Sequence, residues 1–247
     1  MTLPLHLLAA EALTGRGVGD VVVVDGPEGR HAATVRRTRA GEHLLLTDGA
    51  GLRVEGEVLA VGAGTVNVRV VSVATDPEPS PRFVLVQALA KNDRDDQAVE
   101  AATECGVDEV VPWQASRSVV QWRGERGEKA RRKWDAVLVA ATKQSRRTRR
   151  PVLAPTATTA DLVERVRRSS ASYVLHEAAT TPLAEVVLPV DGDVLVVVGP
   201  EGGIAPEELE ALAAAGATTV RLGSTVLRSS SAGPAALAVL SAASRWR

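Results

Sequence analysis

Two short glycine-bearing stretches in the last fifth of the chain hold the residue types best suited to chemistry. They are Gly199-Pro200-Glu201-Gly202-Gly203 and Leu222-Gly223-Ser224-Thr225-Val226-Leu227-Arg228. The first follows the apolar run Val194 to Val198, whose length and β-branched content suit a buried parallel strand. The second follows a shorter predicted strand, Thr219 to Leu222. Such loops either turn tight corners or bare their backbone N–H and C=O groups to a ligand. Their position favours a ligand, because open α/β sheets bind in the crevice beyond the C-terminal ends of their strands. A third predicted strand, Ala171 to Leu175, ends in the same way at His176 and Glu177, two residues that also suit a solvated surface. The chain lacks a G-x-x-x-x-G-K-[ST] loop and a G-x-G-x-x-G turn in a βαβ setting, which disfavours a nucleoside triphosphate or a dinucleotide.

The surrounding elements must hold these loops in place. Pro206, Glu207 and Glu208 suit the first turn of a helix, Leu209 and Leu212 share one of its faces, and Gly216 suits its end. Pro234 is a suitable start for a last helix. Upstream, strand Phe83 to Leu89, a helix lined by Ala98, Ala101, Ala102 and Cys105, and strand Val110 to Trp113 make a βαβ unit. The expected fold class is therefore α/β over residues 82–247. Residues 1–72 read differently, as short strands separated by Asp25-Gly26-Pro27, Asp48-Gly49-Ala50-Gly51 and Gly62-Ala63-Gly64, which predicts a small β-barrel or sandwich. Residues 73–81, with three prolines, read as a linker. His31 and His43 have no second ligand at a metal-binding spacing, so no metal is expected.

Composition describes an ordinary globular chain, 45% hydrophobic and 24% charged, with few aromatics. A single cysteine, Cys105, excludes an intrachain disulfide and suits a reducing cytoplasm. No apolar run spans a membrane, and the N-terminus lacks the basic start of a signal peptide. The net charge of −1 hides an asymmetry: Arg117 to Arg150 holds twelve Lys or Arg against three acids, a local +9. That is the footprint of a phosphate backbone or, more plainly, of a solvated helix face. If it meets phosphates, binding falls with salt at a log–log slope of about −0.7 per phosphate. Trp122 and Trp134 lie within it and are candidates to stack on bases or arginines.

VVVGPEGGIAPEELEAL followed by VRLGSTVLRSSSA resembles the C-terminal signature of the SPOUT superfamily of RNA methyltransferases. It is most similar to the bacterial family that methylates N3 of a uracil in small-subunit ribosomal RNA. The resemblance implies a deep trefoil knot, S-adenosylmethionine as cofactor and a homodimer. It implies cofactor contacts at Leu175, His176, Glu177, Gly199, Pro200, Glu201, Gly202, Leu222, Gly223, Ser224, Val226 and Leu227. His31, Val35, Arg36, Gly41, Asp48 and Gly49 match the family's PUA-like RNA-binding barrel, and Gln144, Ser145, Arg147 and Pro151 match a further segment. RNA contacts are thus expected at His31, Arg36, Arg37, Arg117, Lys143, Gln144, Arg146 and Arg147. The chain departs from the family at Ala101, where lysine is usual, and at Ser229-Ser230-Ser231-Ala232, where Thr-Glu-Thr-Ala is usual.

For N3 of uracil one proton must leave and the resulting anion must be held. Arg228 stays charged and cannot be a simple base, but it can stabilise a uracilate oxygen. Glu201 suits the base by type, or it braces its loop by accepting backbone hydrogen bonds. Two rival readings stand beside this one: ribose 2′-O methylation by the sister branch, which the L-R-S-S-S run disfavours, and a non-catalytic RNA-binding or ribosome-assembly protein.

Overall fold

A computed structural model describes residues 3–91 and 93–246. The chain forms two compact units, Met1–Glu78 with Thr142–Arg150, and Pro79–Ala141 with Pro151–Arg247. Strand structure runs on to Thr75, so the first residues of the expected linker belong to a strand. Residues 142–150, placed by sequence within the α/β domain, belong to the first unit.

The first unit contains β1 (Leu5–Leu7), α1 (Ala10–Leu13), β2 (Val21–Val24), α2 (Gly26–Arg30), a π-helical turn (His31–Val35), β3 (His43–Thr47), β4 (Leu52–Val61) and β5 (Val66–Thr75). Its strands make one mixed sheet in the order β1-β3-β4-β5-β2, with only the β1–β3 pair parallel. Alternation sorts the faces: Val22 and Val24 are buried while Val21 and Val23 are exposed. The buried set joins Leu44, Leu46, Val54, Val66 and Val68 in one core. Residues 142–150 are tied to this sheet by polar contacts. The Thr47 hydroxyl and the Gly51 amide both donate to the Thr148 carbonyl, at 2.8 and 3.0 Å. The Thr148 hydroxyl donates to Asp76 at 2.6 Å.

The second unit contains β6 (Arg82–Ala88), α3 (Arg94–Glu104), β7 (Glu109–Trp113), α4 (Gly124–Gln144, whose last residues count with the first unit), β8 (Val152–Leu153) and α5 (Thr159–Arg168). It continues with β9 (Ala171–Leu175), β10 (Asp193–Val198), α6 (Pro206–Ala214), β11 (Thr218–Val220) and α7 (Ser229–Ala243). Its six strands are parallel, in the order β11-β9-β10-β6-β7-β8. Both faces are covered, which explains the unbroken apolar runs. Phe83, Leu85, Val194 and Val196 pack with Val99 of α3, Leu138 of α4 and Leu237 of α7. Val84, Val86, Leu195 and Val197 pack on the opposite face with Leu162 of α5 and Leu212 of α6.

Three expectations need correction. The last helix begins at Ser229, so Pro234 lies in its second turn. There the missing N–H leaves the Ser230 carbonyl without its helical donor, which a neighbouring first turn would not have required. β11 ends at Val220, which frees Leu222 for the loop. Trp134 is 1% exposed and meets Trp122 edge to face, with centroids 4.9 Å apart. It is a core side chain rather than a platform for bases, the arrangement that the ring quadrupole favours.

Candidate active site

β11, β9 and β10 are neighbours, so their C-terminal ends release three loops side by side. These loops line one cavity of about 570 Å³. Of the predicted ligand residues, Leu175, His176, Glu177, Gly199, Pro200, Glu201, Gly202, Leu222, Gly223, Val226 and Leu227 line it, and so does Arg228. Ser224 is exposed and is not part of the lining. Val198, Ile204, Val220 and Ala232 add apolar wall.

The glycine loop is built for close approach. A Cβ on Gly199 would meet Cγ1 of Ile204 at 2.6 Å, and Gly203 has φ +73°. The loop is also braced from outside. The Glu201 carboxylate accepts the backbone N–H of Lys91 at 3.2 Å and the Arg94 guanidinium at 3.4 Å. The bracing reading of Glu201 therefore matches its contacts better than that of a free base. Arg117, expected to meet RNA, donates to the Gly202 carbonyl at 3.3 Å and lines the same cavity. Arg94 was missed by sequence reading, although β6 is the sheet neighbour of β10 and its strand end points the same way.

Two polar groups on the cavity wall are unspent. The Arg228 guanidinium has no hydrogen-bond or ion-pair partner among the described residues, and the Ser229 hydroxyl is buried without one. A buried orphan hydroxyl is costly unless a ligand satisfies it.

Glu208 holds the base of the site together. Its carboxylate accepts the Ser116 amide and hydroxyl, both at 2.9 Å, the Thr159 hydroxyl at 2.6 Å and the Ala205 amide at 3.2 Å. It thereby joins the loop after β7, the start of α5 and the first turn of α6. Burial works to raise its pKa, and these hydrogen bonds outweigh it, so the carboxyl lies below the ordinary 4.5. With the folded-state pKa depressed, its stabilisation is complete above about pH 4.5 and is lost as pH falls through the lowered value. Glu208→Ala should destabilise the fold by about 2–3 kcal/mol in chemical denaturation, since four donors lose a charged acceptor. Glu208→Gln should remove this group's share of the acid-side loss of stability.

His31, Arg36, Arg37, Lys143, Gln144, Arg146 and Arg147 all fall in the first unit. Lys143 is bound to Glu28 at 2.6 Å. Elsewhere in the basic segment Lys133 pairs with Asp93 at 2.7 Å, Arg131 donates to the Leu153 carbonyl, and Arg149 donates to the Asp76 and Pro77 carbonyls. The charge open to an outside partner is thus well below the +9 of the sequence. Among the described residues, no helix is long and apolar enough to cross a membrane.

The sequence pattern of the RNA methyltransferase domain matches residues 77–241, and that of the RNA methyltransferase PUA domain matches residues 24–71. The chain is 47% identical over 233 residues to ribosomal RNA small subunit methyltransferase E of Mycobacterium bovis, covering 92% of this chain and 89% of that one. With the Bacillus subtilis enzyme of the same name identity is 26% over 226 residues, covering 88% of each. The fold matches a Legionella pneumophila methyltransferase solved with bound SAM at a TM-score of 0.84, with 27% identity and 98% of both chains covered. A ribosomal RNA small subunit methyltransferase E from Neisseria gonorrhoeae shares the fold at a TM-score of 0.84 and 24% identity, covering 98% of both chains. The parallel sheet with its cavity at the strand ends is thus that of an RNA methyltransferase. The chain belongs to the ribosomal RNA small subunit methyltransferase E family.

Proposed function

We propose that the protein transfers a methyl group from S-adenosylmethionine to N3 of a uridine in small-subunit ribosomal RNA. The observation that carries this reading is the cavity itself, in which three strand-end loops meet beside an uncommitted arginine and an unsatisfied buried serine. When bound, the donor supplies a methyl group already activated on a sulfonium. The residues present fit it: Val198, Ile204, Val220 and Leu227 offer apolar wall, the two glycine loops offer backbone donors and acceptors, and the Ser229 hydroxyl awaits a partner. Arg228 stabilises the oxygen of the uracilate that remains when the N3 proton passes to solvent water. Glu201 holds the loop in shape through Lys91 and Arg94.

The first unit, with Arg36, Arg37, Arg146 and Arg147, binds the RNA as a PUA-like half-barrel. We read the second as a SPOUT domain closed by a deep trefoil knot. Two backbone hydrogen bonds tie neighbouring segments there: Leu183 donates to the Arg221 carbonyl and Arg221 donates to the Thr181 carbonyl, at 2.8 and 3.0 Å. The enzyme acts in the cytoplasm as a homodimer. Val226, 75% exposed at the cavity rim, is the kind of apolar group that a second protomer would cover.

Titration calorimetry with S-adenosylmethionine on wild type and Gly202→Val tests the reading. A Cβ at Gly202 would already lie 3.4 Å from the Arg117 backbone carbonyl and Cβ, so the γ-carbons of valine must enter Arg117 or the cavity. Micromolar binding by the wild type, lost in the variant, is expected. N3-methyluridine should then appear in ribosomal RNA treated with enzyme and donor. No heat and no thermal shift at millimolar donor would leave only an RNA-binding protein.

A further inference from the structure

We propose that His6 and His31, with the Glu28 carboxylate as the hydrogen-bond partner behind His6, form a binding site for a divalent transition metal of the zinc type, in the first unit and separate from the methyl-transfer cavity. Sequence spacing hid this site, because His6 stands on β1 and the other two on α2 and the turn behind it. The fold brings one ligand atom from each residue within 4.8 Å of the others.

His6 is 1% exposed, and its Nδ1 lies 3.1 Å from Oε2 of Glu28. A carboxylate only accepts, so Nδ1 of His6 carries the proton and Nε2 presents a lone pair. That Nε2 is buried without a partner among the described residues, and so is Nδ1 of His31. The two rings stand at 61° with centroids 6.1 Å apart.

A protein does not readily leave two buried imidazole nitrogens unsatisfied in one place. A metal ion accepts both lone pairs, and the carboxylate behind His6 supplies the orienting hydrogen bond that metal-bound histidines use. Zinc bonds of about 2.0–2.1 Å place tetrahedral ligand atoms about 3.4 Å apart, so closing the site needs a shift of about an ångström. His31 can make it, being half-buried and first in the π-helical turn His31–Val35, a backbone form that is frequent at functional sites. Two imidazoles with a carboxylate suit zinc and its neighbours rather than calcium or magnesium. Lys143, 2.6 Å from Oε1 of Glu28, fixes the carboxylate and also repels a cation, which holds the affinity down.

The test is zinc chloride titrated into chelator-stripped full-length protein, read by calorimetry and by thermal melting. One equivalent should bind and raise the melting temperature. His31→Ala, at a half-buried position where folding can be checked by circular dichroism, should weaken binding at least tenfold and abolish the thermal shift. Lys143→Met should tighten binding. Cobalt(II) in place of zinc should show the visible bands of a tetrahedral nitrogen–oxygen site. Absence of saturable binding up to roughly 0.1 mM zinc, or wild-type affinity in His31→Ala, overturns the proposal. Neither result bears on donor binding in the other unit, which is measured without zinc.

Discussion

Arg228→Ala is expected to slow methyl transfer by about 10²–10³-fold, the usual effect of removing one well-placed donor from a developing anion. The side chain lines the cavity and has no partner among the described residues, so its charge is free for the substrate. Its backbone carbonyl starts α7 by accepting the Ser231 and Ala232 amides, and alanine keeps that carbonyl. Fold stability should therefore change little. Calorimetry with the donor should show a much smaller loss than the single-turnover rate does. Arg228→Lys should recover only part of the rate, because an ammonium lacks the planar fork of a guanidinium. If the alanine variant turns over at the wild-type rate, stabilisation of the uracilate lies elsewhere in the cavity.

Gly233→Val is expected to destabilise the second unit by about 3 kcal/mol or more. Gly233 lies in α7 where the helix meets the sheet. A Cβ there would stand 2.8 Å from Cδ1 of Leu85 and 3.5 Å from Cγ2 of Val198. Leu85 is fully buried and cannot swing out of the way. Two effects oppose each other in Gly233→Ala. The helix gains about 1 kcal/mol of propensity, while overpacking costs about 1–3 kcal/mol. Overpacking wins, so even alanine should lower the midpoint of chemical denaturation. Valine adds two γ-carbons and loses much of the propensity gain. Because α7 begins at Arg228 and Ser229, Gly233→Val should also weaken donor binding, which separates it from a neutral surface change.

The elements of the second unit were legible because continuous apolar strands and capped helices leave local marks. The run Val194 to Val198 and the glycine loop after it place the cavity, and the strand-end rule finds three of its walls. What that rule missed was spatial. Arg94 and Arg117 reach the cavity from the start of α3, beyond β6, and from the loop after β7, and only the strand order β10-β6-β7 reveals that they are near. Charge along the chain misled for a related reason. Lys133 and Lys143 count as basic in sequence, yet Asp93 and Glu28 hold them in the fold. Pro234 misled by its type, since a proline at a helix start is common and one in the second turn is not. The neighbourhood of His6 and His31 has no local signature at all, because 24 residues separate them in sequence.

The assignment of Thr142–Arg150 to the first unit has a consequence for synthesis on the ribosome. All five strands of that unit are complete once Thr75 has been made. The amide and hydroxyl groups that wait for Thr148 and its neighbours stay unanswered until Arg150 emerges, 75 residues later. At about 5–20 residues per second that delay is roughly 4–15 s. The N-terminal sheet is therefore born unfinished, and its last seam closes only after the first strands of the catalytic unit already exist. Release of residues 1–78 as an independent fragment would leave that seam permanently open.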